Sequence, residues 1–315
     1  MSLTQVLGRC QPLPDTGFDP WASFADMNAR IMIVSSPKAG ATLSARLMLS
    51  SLNLTQVAMK YTGHWGYPFG YARNVFPVNK QARRVAGLME EGGCSAADAL
   101  CLAIVRNPID RAISSYIMIM RVEDFRADFA ELGGRYNASF EEFVRALDRR
   151  AAGGNWSNSH AMPQHNVLGS QRAGLQPGVL YVPIEMLSEP NAYRCPQLTR
   201  LQGWRLADQE GEGVMRHHYV QQAAPTVLTT DSEHQPWSYL MKQQKLPSYD
   251  SFWGSQSFCQ HVIGCLYKRD LELYVQTCTL QANKFLGCTA FYQACQTQLT
   301  RLRRVCGVLT DNRLP

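Results

Sequence analysis

A chain of 315 residues, 45% hydrophobic and 18% charged with unremarkable glycine and proline content, can bury a full core, which excludes the disordered and fibrous classes. Its formal charge of +6 is modest and no Lys or Arg block stands out, so a nucleic-acid surface is not indicated, whereas a small polyanion suits it as a ligand. The longest apolar runs, such as Ala99 to Val105, are too short for a membrane span, and the first thirty residues hold no uninterrupted apolar core of a signal or anchor.

In chain order, residues 1–29 read as an N-terminal arm. Ile31 to Val34 is a short buried strand, and after the turn Ser35-Ser-Pro-Lys-Ala-Gly40 the stretch Ala41 to Leu52 is a helix with Leu43, Leu47 and Met48 on one side. A second strand is expected ahead of KYTGHWGYPFG (Lys60 to Gly70). Ala99 to Val105 is continuous and apolar, as the centre of a parallel sheet requires. Asn107 as N-cap and Pro108 at the first helical position start a helix that runs to Arg121. Ser139-Phe-Glu-Glu142 is a capping box ahead of a helix with Phe140, Phe143, Val144 and Leu147 inward, closed by Gly153-Gly154. Val179 to Leu187 is a later strand with Pro183 near its end. Gln209 to Pro247 is long irregular chain of the kind that can cover a site. Ile263 to Gln276 is helical, with Leu266, Leu271 and Tyr274 as its inner face. Strands alternating with helices give an α/β fold whose parallel sheet is covered on both faces. One domain is expected over 30–276, with 277–315 as a Cys-rich, helical C-terminal extension.

Six of the ten cysteines (Cys259, Cys265, Cys278, Cys288, Cys295, Cys306) crowd into the last fifth of the chain. They read as buried or free thiols, with a luminal disulfide set as the alternative. Paired C-x-x-C knuckles are lacking, so no structural zinc is expected. Asn53-Leu-Thr, Asn137-Ala-Ser and Asn155-Trp-Ser match the glycosylation pattern.

Two stretches carry chemistry. SSPKAGATL (Ser35 to Leu43) places a Gly-containing turn between a strand and a helix, which directs backbone N–H groups toward a phosphate. A nucleotide hydrolase of this type has its lysine directly before Ser/Thr, with the hydroxyl on magnesium. Here that slot is Ala41, the lysine is Lys38, and the strand ending at Val105 continues into Arg106 rather than an aspartate. This loop suits a 5′-phosphate bearing a group whose transfer needs no metal. In RNPIDRAISSY, Arg106 leaves a buried strand and Ser114 follows eight residues later in the helix. A charged fork and a directional hydroxyl can therefore converge on a second anion.

Together these stretches resemble the sulfotransferase superfamily, whose donor is 3′-phosphoadenosine-5′-phosphosulfate. Pro37, Lys38, Gly40 and Thr42 match its 5′-phosphosulfate loop, with Ala41 departing at a usually hydroxylated position. Arg106, Asn107, Pro108 and Ser114 match its 3′-phosphate element. SFEEFV (Ser139 to Val144), HAMPQ (His160 to Gln164), the strand end at Glu185 and LYKRDLELY (Leu266 to Tyr274) look like the membrane-type carbohydrate branch. The resemblance implies a P-loop-like three-layer fold with a central parallel sheet flanked by helices. It also implies metal-independent, in-line transfer of a sulfuryl group to a hydroxyl or amine of a carbohydrate or small metabolite. Lys38 and the N–H groups of Ala39, Gly40, Ala41, Thr42 and Leu43 would hold the 5′ side and stabilise the leaving oxygen, and Arg106 and Ser114 the 3′-phosphate.

The base implied by the resemblance is His64, with His160 as runner-up and His165, His217 and His218 behind it. Tyr61, Trp65, Tyr67, Phe69 and Tyr71 either line an acceptor pocket or pack in the core. Glu185 reads as a structural bridge at a strand end. No membrane span or nucleic acid is expected among the partners. The cytoplasm is favoured as compartment, with the Golgi lumen as alternative on account of the Cys-rich C-terminus and the sequons. Two rival readings are a kinase on a divergent P-loop, disfavoured by the missing Lys-Thr pair and magnesium aspartate, and a donor-binding protein without turnover.

Overall fold

A computed structural model describes residues 23–26, 30–63, 70–75, 99–131, 134–153, 158, 160–168, 175–189, 192–201, 232–242 and 247–308. The elements that frame the sheet are β1 (Ser23–Asp26), β2 (Ile31–Ser35), α1 (Ala41–Ser51), α2 (Thr55–Met59), α3 (Tyr71–Asn74), β3 (Leu100–Val105) and α4 (Pro108–Arg121). They continue with α5 (Glu123–Glu131), α6 (Phe140–Gly153), α7 (Gln164–Val167), β4 (Val179–Pro183), α8 (Trp237–Lys242), α9 (Gln256–His261), α10 (Lys268–Leu280) and α11 (Thr289–Cys306).

This is an α/β arrangement around a four-stranded sheet in the order β1-β2-β3-β4. β2, β3 and β4 are parallel, and their residues are apolar almost without interruption because helices leave little of either face to water. β1 pairs antiparallel with β2, from Ser23 opposite Val34 to Asp26 opposite Ile31. The expected parallel sheet therefore carries an antiparallel edge, formed by residues 23–26 within the stretch expected as an N-terminal arm. α1 packs on β1 and β2, while α10 and α11 pack on β4.

Local chemistry accounts for the helix starts. The Asn107 side chain accepts the Ile109 N–H at 3.1 Å with Pro108 as the first helical residue of α4. Before α6, Ser139 Oγ accepts from Glu142 N at 3.2 Å and Glu142 Oε2 accepts from Ser139 N at 3.0 Å, a reciprocal capping box. Tyr116 of α4 joins these helices through its ring contacts with Phe140, Phe143, Trp237 and Phe252, and its buried hydroxyl donates to Ala138 O at 2.9 Å. Leu266, Leu271 and Tyr274 are all buried, as their spacing predicts, although a π-helical turn over Val262–Leu266 precedes α10.

Several expectations are corrected. No strand stands ahead of Lys60: residues 55–59 form α2, a short helix ending at the KYTG segment. The stretch expected to be irregular from Gln209 to Pro247 contains α8, whose Trp237 and Leu240 are buried in the core; residues 209–231 lie outside the described residues. The thiol reading of the cysteines is overturned. Cys195 is bonded to Cys288, Cys259 to Cys306 and Cys278 to Cys295, and Cys101 and Cys265 are disulfide-bonded as well. No cysteine among the described residues is free. The late clustering therefore reflects a cross-linked shell around α9, α10 and α11, in which each bond restricts the unfolded chain by about 2–4 kcal/mol. No described helix is long and apolar enough to cross a membrane.

At the junction of β2 and α1, Gly40 has φ of 105°, which side chains rarely adopt. A Cβ there would lie 2.9 Å from Ile184 Cδ1 and 3.3 Å from Ile104 Cγ2. Gly40→Ala is expected to destabilise the fold by about 1–3 kcal/mol, since backbone strain and crowding coincide. Denaturant unfolding of the variant beside the parent measures it, and an unchanged midpoint would remove the assigned constraint.

Candidate functional site

Adjacent parallel strands end at the same edge of a sheet. Ser35 at the end of β2 is in register with Ile104 of β3, so the segment after β2 and the segment after β3 emerge side by side. This register brings Lys38 and Arg106 together across 68 positions of sequence. Arg106 Nη1 donates to the Lys38 carbonyl at 2.8 Å. Lys38 has φ of 64°, an uncommon conformation for a residue with a side chain and of the kind found at ligand clamps.

Just after Lys38 comes the start of α1. Its N-cap, Gly40, offers no side-chain acceptor, and the first turn contains no acidic residue. Ala39 N–H is used in the turn, donating to Ser36 O at 3.0 Å. The N–H groups of Ala41, Thr42 and Leu43 are the first donors of the helix, for which an α-helix supplies no internal partner. Thr42 is exposed at this end. Ser44 ties the turn to the sheet, with its hydroxyl donating to Ser35 Oγ at 2.8 Å and placed 3.0 Å from Gly40 O.

The site is strongly cationic. Burial, then the charges of Arg106 and Arg111, lower the Lys38 ammonium from 10.5 to about 7. Arg111, one turn into α4, is fully buried. Its Nε donates to Ser36 Oγ at 3.3 Å, Nη1 stands 3.5 Å from Asp270 Oδ2, and Nη2 donates to Met162 O. Ser114 lies one turn beyond Arg111 on the same helix and is 7% exposed.

A second layer fixes these cations. The Gln164 carboxamide grips the Arg106 backbone at both ends, accepting its N–H at 3.0 Å and donating to its carbonyl at 2.8 Å. Gln164 is held in turn by Asp270 of α10, whose Oδ2 accepts the Gln164 N–H at 2.9 Å. Asp270 Oδ1 accepts the His165 N–H at 3.0 Å and lies 3.1 Å from His165 Nδ1. Glu185 bridges as expected: Oε1 accepts the Asn107 N–H at 3.2 Å and Oε2 the Tyr274 hydroxyl at 3.1 Å. Burial and then Asp110 raise its carboxyl to about 7. Asn107 Nδ2 also donates to Gln298 Oε1 at 2.9 Å, so α11 reaches back to the strand end that carries Arg106.

Of the candidate bases, His160 is 6% exposed, with Nδ1 3.1 Å from Asn158 Oδ1 and its ring 4.7 Å from that of Phe125. Burial, followed by the charges of Lys38 and Arg111, lowers it to about 3, so the imidazole is neutral at pH 7 and belongs to the same electrostatic environment as the loop lysine. His165 is engaged by Asp270. His64, Trp65, Tyr67, Phe69, His217 and His218 lie outside the described residues; Tyr61 and Tyr71 meet edge to face at 5.8 Å.

The structure thus brings together Lys38, the α1 N-terminus and Arg106. It adds Arg111, Gln164 and Asp270, which no motif in the sequence marks as parts of the site. Arg111 falls inside RNPIDRAISSY and Asp270 inside LYKRDLELY, but nothing in the spacing of either says that they pair. No group of acidic, Cys and His side chains suited to a metal ion occurs among the described residues. No family model, curated protein or solved structure matches this chain.

Proposed function

We propose that the chain is a sulfotransferase that takes its sulfuryl group from 3′-phosphoadenosine-5′-phosphosulfate, on a P-loop-like three-layer version of the α/β fold. The observation that carries this reading is the meeting of Lys38 and Arg106 beside an uncapped helix N-terminus with no acid in its first turn. Cations gathered at such cost in mutual repulsion and desolvation suit a polyanion that relieves both. In this reading the N–H groups of Ala41, Thr42 and Leu43 with Lys38 address the 5′ side, Ala39 N–H being spent on Ser36 O, and Arg106 with Ser114 is assigned to the 3′-phosphate.

In the transfer, an acceptor oxygen or nitrogen forms a bond to sulfur. The bond from sulfur to the bridging oxygen of the 5′-phosphate breaks, and the bridging oxygen leaves with the electron pair. Lys38 and the loop N–H groups stabilise the negative charge that grows there. The acceptor's proton goes to His64 or to His160. A bound donor's negative charge offsets the cationic depression of His160 and makes it a better base than in the free protein. An acceptor hydroxyl or amine on a carbohydrate or small metabolite fits this chemistry.

Calorimetric titration with adenosine 3′,5′-bisphosphate tests the reading. The parent chain is expected to bind it, and Arg106→Ala to bind about 10–100-fold more weakly, the loss of a charge-assisted contact worth ~1.5–3 kcal/mol. A parent chain indifferent to the bisphosphate would sink the proposal. Normal affinity in the arginine variant would remove that residue's role.

A further inference from the structure

The two sequons within the described residues differ in a way that the sequence does not reveal. Asn53-Leu54-Thr55 forms the turn between α1 and α2. Asn53 is exposed, in the left-handed conformation at φ 57°, with its N–H donating to Ser50 O at 3.0 Å; among the described residues no partner holds its carboxamide. Asn137-Ala138-Ser139 is also exposed at its asparagine, but that carboxamide is occupied. Asn137 Nδ2 donates to Ser238 Oγ at 2.9 Å and Asn137 Oδ1 accepts the Ser238 N–H at 2.6 Å. Two bonds to one residue use the amide hydrogen on the carbonyl side, which is the position a sugar takes in a trans-substituted amide. A sugar on Asn137 would therefore displace Ser238 and undo the link between α8 and the turn ahead of α6.

The disulfides supply an independent observation. Three bonds join pairs of described cysteines, Cys101 and Cys265 are bonded as well, and none of the described cysteines is free. Such a set forms and persists in an oxidising compartment, where asparagine glycosylation also takes place. We propose that this chain matures in an oxidising secretory lumen and carries an N-linked oligosaccharide on Asn53, with Asn137 left unmodified. The co-reactant is a lipid diphosphate-linked oligosaccharide. Asn53 Nδ2 bonds to the anomeric carbon, the bond from that carbon to the diphosphate oxygen breaks, the lipid diphosphate leaves with the electron pair, and the amide proton passes to a base of the transferring enzyme.

The position suits a bulky, hydrated group. α1 has 11 residues, so Asn53 stands roughly 16 Å along the helix from the Gly40 end and the cation pair. Val57 and Met59 on the neighbouring α2 are 55% and 48% exposed, and carbohydrate on Asn53 would shield them.

The full chain, isolated from its own cells, is treated with peptide N-glycosidase in heavy-oxygen water and mapped by peptide mass spectrometry; a second sample is alkylated without reduction. The expected result is an isotope-marked aspartate at position 53, an unmarked Asn137 and cysteines that resist alkylation. Asn155, the third sequon, lies outside the described residues, so Asn53→Gln expressed in the same cells is made on an Asn155→Gln background and should there lose the glycosidase-dependent change in mobility. An unmarked Asn53, a mark at Asn137, or thiols that alkylate in the unreduced chain each overturns the proposal. These readings come from the unaltered chain, so they stand even if the variant folds poorly.

Discussion

Lys38→Met is expected to lower the rate of sulfuryl transfer ~10²–10³-fold, the loss found when one preorganised donor to a developing negative charge is removed. β2 delivers the lysine to the mouth of α1, and the Arg106 guanidinium donates to its carbonyl at 2.8 Å, the geometry on which the proposed role rests. Its titration gives a second signature. In the free protein burial, Arg106 and Arg111 hold the ammonium at about 7, and a bound polyanion favours its charged form. Binding above pH 7 then requires proton uptake, so affinity for adenosine 3′,5′-bisphosphate falls as pH rises from about 7. Below that the lysine is already charged and contributes no slope. Calorimetry in buffers of different ionisation heat measures the proton directly. Lys38→Arg, charged throughout this range, should bind with no lysine-dependent slope, and Lys38→Met should also lose the slope while binding more weakly. A methionine variant that turns over at the parental rate, or a parent whose affinity is flat across this window, would remove the lysine from the chemistry.

The same titration bears on stability. A lysine lowered from 10.5 to about 7 destabilises the fold while it is charged, and that penalty is released progressively as pH rises between those values. Glu185 acts in the opposite sense, since its carboxyl is raised from 4.5 to about 7. The stability associated with its buried neutral form is complete below 4.5 and is lost as pH rises through about 7. Near neutral pH the site is therefore under tension from both groups, which an anion relieves at the lysine alone.

How much of this was legible in the sequence follows from the range of the interactions involved. The helix starts at Asn107-Pro108 and Ser139-x-x-Glu142 were readable because caps are made by residues two or three apart. Strands β2 and β3 were readable because burial on both faces makes them continuously apolar. The edge strand β1 was not, since four residues pairing on one side leave no periodic signature. α2 stands where a strand is expected because a five-residue helix gives too few turns for a period to show. The disulfide pairing was closed to inspection for a different reason: Cys195 and Cys288 are 93 residues apart, and spacing cannot express which late cysteine faces which. Lys38 and Arg106 were each visible as motifs. Their meeting depends on the β2–β3 register, and their support depends on Gln164 and Asp270, which come from two further parts of the chain.

That support is where the largest effect on stability is expected. Asp270→Ala should destabilise the fold by ~3–5 kcal/mol, because it leaves the buried Arg111 guanidinium without its counter-charge. A lowering of the melting temperature on the order of 5–10 °C follows for a chain of this size. The carboxylate also accepts the backbone N–H groups of Gln164 and His165, so its removal strands two buried donors along with the cation. Burial by itself favours the neutral acid. The hydrogen bond from His165 and the charge of Arg111 outweigh it and hold Asp270 below its ordinary value of 3.8. A carboxyl depressed in the folded state contributes stability that is full above 3.8 and disappears as pH falls through the folded value, so the parent should lose stability in acid by a step that Asp270→Asn lacks. Arg111→Met combined with Asp270→Ala should cost less than the sum of the single changes, since the pair is removed rather than broken. Because Asp270 holds Gln164 and Gln164 holds Arg106, Asp270→Asn should also weaken adenosine 3′,5′-bisphosphate binding at temperatures where it remains folded. Gln164→Ala should reproduce that weakening without the large loss of stability. Strict additivity of the double variant would show that Arg111 and Asp270 do not act as a pair, and unchanged binding in Gln164→Ala would sever the connection between α10 and the anion site.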